Sequence, residues 1–158
     1  MICNDIMNRN PLTLTPDTSV SDALGQLKDA NVATAAVTDA AGTVMGVFSL
    51  RHLIENTLPV SMISESGWGG MVVSAAPGLE LRLQKVMQQT VAAVMDRHFL
   101  SVHGDTPAAR AAQLIAEKGG DVIVLDEDTG RLQGTINDRI MIEGLLSIAS
   151  AKNKKASG

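Results

Sequence analysis

The spacing of apolar residues changes along the first sixty residues, and each change marks a new element. Apolar side chains first recur with the i, i+3, i+4, i+7 spacing of an amphipathic helix, at Val20, Ala23, Leu24 and Leu27. Ser19, with Asp22 three residues on, resembles a helix N-cap. Small and β-branched residues then fill positions 32–37, as in a buried strand. The pattern predicts a helix that ends near residues 30–31, followed by a strand.

The stretch Val37–His52 predicts a hairpin that leads into a second helix. Its first apolar run ends at Asp39, a turn signal with Gly42 follows, and a second apolar run starts at Thr43. A polar cluster then opens the next helical segment, with Ser49, Arg51 and His52 as its members. A further short strand is predicted at 12–14, ahead of the first helix. This part of the chain therefore reads strand, helix, strand, hairpin, strand, helix.

The same order of elements returns about 88 residues later. Val124–Ile140 repeats the pattern of Val37–His52, and Met7 and Thr13 have counterparts at Met95 and Ser101. A helix between two strands implies a parallel crossover, whereas a tight hairpin adds an antiparallel neighbour. Each copy is therefore predicted to be a β-α-β-β-α unit with a three-stranded mixed sheet, which places the chain in the α/β class.

The repeat divides the chain into four segments. They are a first copy at 1–54, an insertion at 55–89, a second copy at 90–150 and a small, charged tail at 151–158 that is expected to be disordered. In the insertion, a polar, glycine-rich loop is predicted to lead into one helix of three to four turns that spans 79–94. The last helix, 140–149, is apolar on more than one face, so we expect it to pack on its own sheet and on a second chain.

Charge and composition exclude several classes of protein. The chain carries 13 Lys and Arg against 17 Asp and Glu, and only 2% of its residues are aromatic. An acidic chain with few aromatic side chains is poorly suited to bind nucleic acid, so no such partner is expected. No apolar run approaches the roughly 20 residues of a membrane span. Cys3 is the only cysteine and no targeting pattern opens the sequence, so a cytoplasmic location is expected.

Catalytic and metal-binding patterns are not recognisable in the sequence. His52, His98 and His103 lack the spacing of zinc ligands with Cys or carboxylates. No Ser, Cys or Lys stands in a known nucleophile context. We therefore expect neither an enzyme nor a metal site, and no required cofactor.

Taken together, these repeated patterns resemble the tandem CBS (cystathionine-β-synthase-type) domain, the pair known as a Bateman module. The resemblance rests on T-P-D-T-S-V at 15–20, V-T-D at 37–39 and G-V-F-S at 46–49, with related residues in the second copy. It implies two repeats packed through their sheets as a pseudo-twofold pair, with ligand clefts between them, and frequent homodimers. It also implies that an adenosine-containing ligand, such as AMP, ADP, ATP or S-adenosylmethionine, regulates a separate partner protein.

The family's ligand signature is Gly, two residues, Ser or Thr, two residues, then an Asp that holds the ribose. In this chain the frame is Gly46, Ser49, His52 in the first copy and Gly134, Asn137, Ile140 in the second, so neither copy has the carboxylate. The resemblance implies these ligand-binding candidates: Thr13, Ala35, Ala36, Ser49, Arg51 and His52, and in the second copy Ser101, Val122, Ile123, Asn137, Asp138 and Arg139.

Two interpretations remain open at this point. In the first, the protein senses an adenosine-type ligand, with Ser49 and Arg51 near a phosphate and His52 in place of the ribose carboxylate. In the second, Ser49 is only a helix N-cap, and the chain is a ligand-free scaffold for dimerisation and protein interaction.

Overall fold

The computed structural model describes residues 1–57 and 78–156, and for residues 153–156 it describes the backbone alone. Most of the loop predicted within 55–78 lies outside these residues. The first part of the chain contains α1 (Cys3–Ile6), β1 (Thr13–Leu14), α2 (Val20–Ala30), β2 (Thr34–Thr38), β3 (Val44–Ser49) and α3 (Leu50–Thr57). The second part contains α4 (Leu79–Gln88), α5 (Val91–Val94), β4 (Ser101–His103), α6 (Ala108–Lys118), β5 (Val122–Leu125), β6 (Leu132–Ile136) and α7 (Asp138–Ala156).

Two three-stranded sheets form, one from each copy. Their orders are β1-β2-β3 and β4-β5-β6. The crossover pairs β1–β2 and β4–β5 are parallel, and the hairpin pair β5–β6 is antiparallel. The mixed α/β class predicted from the sequence is confirmed.

The boundaries of α2 follow from two local signals. Its N-cap Ser19 accepts a hydrogen bond from the backbone N–H of Asp22, as the capping pattern predicted. At the other end, Asn31 adopts the left-handed conformation with φ 55°, which short polar side chains tolerate. The predicted end of this helix near residues 30–31 is confirmed.

The single helix predicted over 79–94 is wrong. Two helices form instead, because Gln89 and Thr90 are extended between α4 and α5. Backbone hydrogen bonds join this break to the start of α2: the Val20 N–H donates to the Gln89 carbonyl, and the Val91 N–H donates to the Thr18 carbonyl. Backbone pairing with a distant segment thus overrides the helical spacing.

The tail at 151–158 begins as part of α7, and its expected disorder stays a prediction. Helix α7 continues without interruption through Ala151 to Ala156. Alanine and lysine dominate this segment and both have high intrinsic helix propensity, so an established helix extends through it readily.

The chain forms two compact units that are not continuous in sequence. Unit 1 contains residues 1–11, 40–44 and 99–158, and unit 2 contains residues 12–39 and 45–98. In unit 1, α1 contributes fully buried Cys3 to the core formed by the second copy. In unit 2, α5 contributes fully buried Val91 to the core formed by the first copy. The segment that precedes the sheet of each copy therefore packs in the unit that holds the other copy's sheet.

We call residues 1–11 and 79–98 the leading segments of the two copies. Each leading segment pairs through its backbone with the last strand of the other copy's sheet: Asn8 exchanges two hydrogen bonds with Thr135, and Asp96 exchanges two with Val47. Each crosses that strand at a glycine, Gly134 or Gly46, where a Cβ atom would lie within 3.0 Å of the crossing backbone. These glycines are therefore required for close approach.

Candidate functional site

The residues of the ligand signature in the first copy stand where β3 passes into α3. Ser49 ends the strand, and its Oγ accepts a hydrogen bond of 3.1 Å from the backbone N–H of His52. The serine is thus a helix N-cap, the alternative that the sequence left open. Its hydroxyl proton remains free to be donated, because capping uses only an oxygen lone pair.

The second copy repeats this geometry with different chemistry. Asn137 Oδ1 accepts a hydrogen bond of 3.0 Å from the backbone N–H of Ile140, which opens α7. Ile140 packs against the core of unit 1 and offers no polar atom from its side chain. The first copy therefore keeps a titratable side chain at the last position of the signature, and the second copy does not.

His52 faces a carboxylate that lies outside the sequence signature. Its Nδ1 is 3.9 Å from Oδ2 of Asp96, and the two side chains are 30% and 35% exposed. Asp96 belongs to the leading segment that crosses β3, so the antiparallel bridge to Val47 brings it to the start of α3. Its other oxygen, Oδ1, accepts a hydrogen bond of 2.8 Å from the His98 N–H, which fixes the carboxylate.

A cavity adjoins His52 on the side of α4 and α5. It has a volume of about 310 Å³, at the lower end of the range for small-ligand pockets. Its polar lining consists of His52, Asn56, Thr57 and Gln89, and its apolar lining of Leu53, Val86, Ala93, Val94 and Met95. The imidazole ring of His52 thus contributes both to this cavity and to the pair with Asp96.

The two arginine candidates are exposed and paired along their own helices. Arg51 Nε lies 3.0 Å from Glu55 Oε1, and Arg139 Nε lies 3.7 Å from Glu143 Oε1. Pairs of this i, i+4 kind at the surface contribute little stability, so either arginine can exchange its partner for an anion at small cost.

The remaining candidates divide by burial. Thr13 and Ser101 are exposed at the first strand of each sheet, where they pair in register with Ala36 and Ile123. The other four are almost completely buried, namely Ala35, Ala36, Val122 and Ile123. These four side chains have almost no surface to offer to a ligand, and their assignment to a binding site stays a prediction.

An acidic pair in unit 1 was missed by the sequence analysis. Half-buried Asp121 precedes β5, and burial raises its pKa to about 6, with a further contribution from the negative charge of Asp138. Asp138, a candidate from the sequence, opens α7. The Val122–Ile136 pairing of β5 and β6 places the start of one strand beside the end of the other. Only this register reveals the pair, because the two residues are distant in sequence.

The raised pKa of Asp121 predicts that Asp121→Asn stabilises the protein at pH 7. Between about pH 4 and pH 6 the folded state binds more protons than the unfolded state, so ionisation of Asp121 lowers stability as the pH rises. Allowing for partial exposure, the asparagine should raise the free energy of unfolding by about 1–2 kcal/mol at pH 7. At pH 4 the gain should vanish. Urea unfolding at both pH values measures this difference, with exposed Asp128→Asn as the control for loss of charge. An equal gain at both pH values would contradict the assignment.

Other kinds of site receive no support from the described residues. Within residues 1–57 and 78–152, no three His, Cys, Asp or Glu side chains stand close enough to hold a metal ion. The helices of the same part of the chain include none that is long and apolar enough to cross a membrane.

Fold and site together define a class: a tandem pair of β-α-β-β-α repeats in which a capped helix follows the last strand of each sheet. The family model of the CBS domain matches the chain twice, at residues 3–58 and 91–147. The chain belongs to the CBS domain family. No curated protein sequence matches it closely enough to count as a relative.

Solved structures of CBS-pair proteins resemble the chain over nearly its whole length. CBSX2 from Arabidopsis thaliana is 26% identical, with 94% of this chain and 96% of CBSX2 covered and a TM-score of 0.73. A structure of CBSX2 in complex with AMP is 27% identical, with 93% and 97% covered and a TM-score of 0.69. A putative acetoin utilization protein, AcuB from Vibrio cholerae, shares the fold at 18% identity, with 98% and 96% covered and a TM-score of 0.72.

Proposed function

We propose that this protein is a regulatory module that binds an adenosine-containing ligand beside His52 and passes its occupancy to a separate partner protein. The observation that carries the proposal is the start of α3, where Ser49 caps the helix and accessible His52 lines a cavity of about 310 Å³. AMP bound by CBSX2, a relative of similar length, supports the choice of ligand class.

The chemistry at the start of α3 suits a nucleotide. The dipole at a helix N-terminus favours an anion, and the Ser49 hydroxyl can add one donated hydrogen bond. Arg51 stands one turn from Glu55 on the exposed side of the helix and can reorient toward a phosphate. A regulatory role rather than a catalytic one is in keeping with the family, and a cytoplasmic location remains part of the proposal.

A thermal-shift panel tests the proposal. AMP, ADP, ATP and S-adenosylmethionine are added separately at millimolar concentration, and at least one should raise the melting temperature. A ligand at a hundred times its Kd stabilises the folded state by about 2.7 kcal/mol. Ser49→Ala and His52→Ala should reduce the shift more than the matched variants Asn137→Ala and Ile140→Ala. A flat panel would rule out nucleotide sensing, and the reverse order of variants would move the site to the second copy.

A ligand-free dimerisation scaffold is the second candidate, and the surface of α7 favours it. Four large apolar side chains of this helix are exposed, at 57%, 57%, 61% and 48%: Ile142, Leu145, Leu146 and Ile148. Such a patch on a surface helix is typical of a protein interface, and a second copy of this chain is the occupant that we propose. Native mass spectrometry distinguishes the two candidate functions. A dimer whose mass and partner binding do not change when any of the four ligands is added supports the scaffold.

A further inference from the structure

The two leading segments place chemically different side chains at equivalent positions. Asp96 bridges to Val47 and Asn8 bridges to Thr135, each through two backbone hydrogen bonds. Both residues also form the same local turn, because Asn8 Oδ1 accepts a hydrogen bond of 3.1 Å from the Asn10 N–H as Asp96 Oδ1 does from His98. The backbone is thus repeated, while the carboxylate is present in only one copy.

The side chain at the last position of the ligand signature also differs between the two copies, and again only the first copy has a titratable group there. The first copy has His52 at the last position of its signature, and the second has Ile140. The residue pairs are therefore a carboxylate with an imidazole in one unit and an amide with a hydrocarbon in the other. The first pair offers two polar side chains, one of them a carboxylate, to the hydroxyl groups of a ligand, whereas the second pair offers one amide.

The separation within the first pair is informative. Nδ1 of His52 and Oδ2 of Asp96 are 3.9 Å apart, too far for a direct hydrogen bond. One hydroxyl oxygen about 2.8 Å from each atom would bridge them, donating to the carboxylate and accepting from the Nδ1–H form of the imidazole. About a third of each side chain is exposed, so a ligand can reach both.

We propose that Asp96 supplies the ribose-binding carboxylate that the signature lacks at His52, so that the two side chains together hold a ribose hydroxyl of the ligand. The inference rests on the proposed function. The carboxylate lies on the leading segment that crosses β3 and not in the first turn of α3, and the crossing at Gly46 positions it. The second copy, with Asn8 and Ile140, lacks this site.

Calorimetric titration with AMP and with 2′,3′-dideoxy-AMP tests the assignment. The wild-type protein should prefer AMP by about tenfold to a hundredfold, because hydrogen bonds to a charged group contribute about 1.5–3 kcal/mol. Asp96→Asn should bind AMP about tenfold or more weakly and leave the affinity for the dideoxy ligand unchanged. The preference for ribose should therefore largely disappear.

The substitution preserves the local structure, since an asparagine can accept the His98 N–H bond as Asn8 accepts that of Asn10. Exposed Asp29→Asn in the same unit controls for the loss of one charge and should bind like the wild type. An unchanged preference for AMP over its dideoxy form in Asp96→Asn overturns the assignment and leaves the proposed function standing. Equal weakening of both ligands overturns it as well. A wild-type protein that binds neither AMP nor its dideoxy form overturns the assignment, whereas the proposed function fails only if the whole panel of four ligands is flat.

Discussion

Gly46→Ala should destabilise the protein by about 2–3 kcal/mol, in the upper part of the range typical of overpacking. A Cβ atom at this position would lie 2.8 Å from Met95 Sδ and 2.9 Å from the Asp96 carbonyl oxygen. That oxygen accepts a backbone hydrogen bond from Val47, so it cannot retreat without breaking the bridge. Urea unfolding at pH 7 measures the loss. We also expect weaker AMP binding, because Asp96 would move with its backbone.

Gly25→Ala is the matched control for this substitution. Gly25 lies inside α2 with open space around it, and no heavy atom would come within 4 Å of a new Cβ. Alanine is the better helix former by about 0.5–1 kcal/mol, so this variant should be slightly more stable than the wild type. A Gly46→Ala protein as stable as Gly25→Ala would contradict the close crossing of β3 by the leading segment.

The double variant Leu145→Lys, Leu146→Lys should convert the proposed homodimer into a monomer. Burial of one leucine contributes about 1.5–3 kcal/mol, so loss of two from an interface raises the dissociation constant more than a hundredfold. The two side chains are exposed, and α7 turns other residues, such as Met141, into the core of unit 1. The folded unit should therefore survive the change. Sedimentation velocity between about 1 and 100 µM reads out the mass.

Ser147→Lys serves as the control for added charge on the same helix. Ser147 is exposed on the side of α7 that carries Glu143, away from the leucine pair. This variant should remain dimeric over the whole concentration range. If the leucine variant keeps the mass of the wild type, or if the wild type is monomeric throughout, the apolar face of α7 is not a homodimer interface.

Most of the architecture could be predicted because its signals are local. The apolar spacing of α2, its Ser19 cap and its end near Asn31 depend on residues within one or two turns. The parallel and antiparallel pairings follow from the order of helix and hairpin between strands. Comparison of the two copies strengthened each of these inferences, since one pattern was found twice.

The break between α4 and α5 and the placement of the leading segments were missed because both depend on distant backbone pairing. The break at Gln89 and Thr90 exists because Val20 and Thr18 bond to the chain there. Hydrophobic periodicity does not predict that each leading segment packs with the other copy's sheet. The helices α1 and α5 of these segments have only four residues each. Short elements carry too few positions to specify which surface they cover.

The residues of the candidate site also fall into two groups, those that the sequence predicts and those that it does not. The capping roles of Ser49 and Asn137 follow from their positions directly before a helix, and the structure shows both. Asp96 and Asp121 could not be found from the signature, because one arrives across an antiparallel bridge and the other across a strand pairing. Both carboxylates lie beside backbone pairings of the sheets. They are found by examining those pairings, and not the positions of the signature.

The leading segments have a consequence for any attempt to separate the two copies. A fragment with one copy carries its own leading segment but lacks the one that covers its sheet, so it leaves core positions such as those of Cys3 or Val91 unfilled. Two such fragments can complete each other only by trading these segments, which is the arrangement of a domain-swapped dimer. The doubled chain thus has the connectivity of a swapped pair joined into one polypeptide, and we expect either half alone to be less stable than the whole.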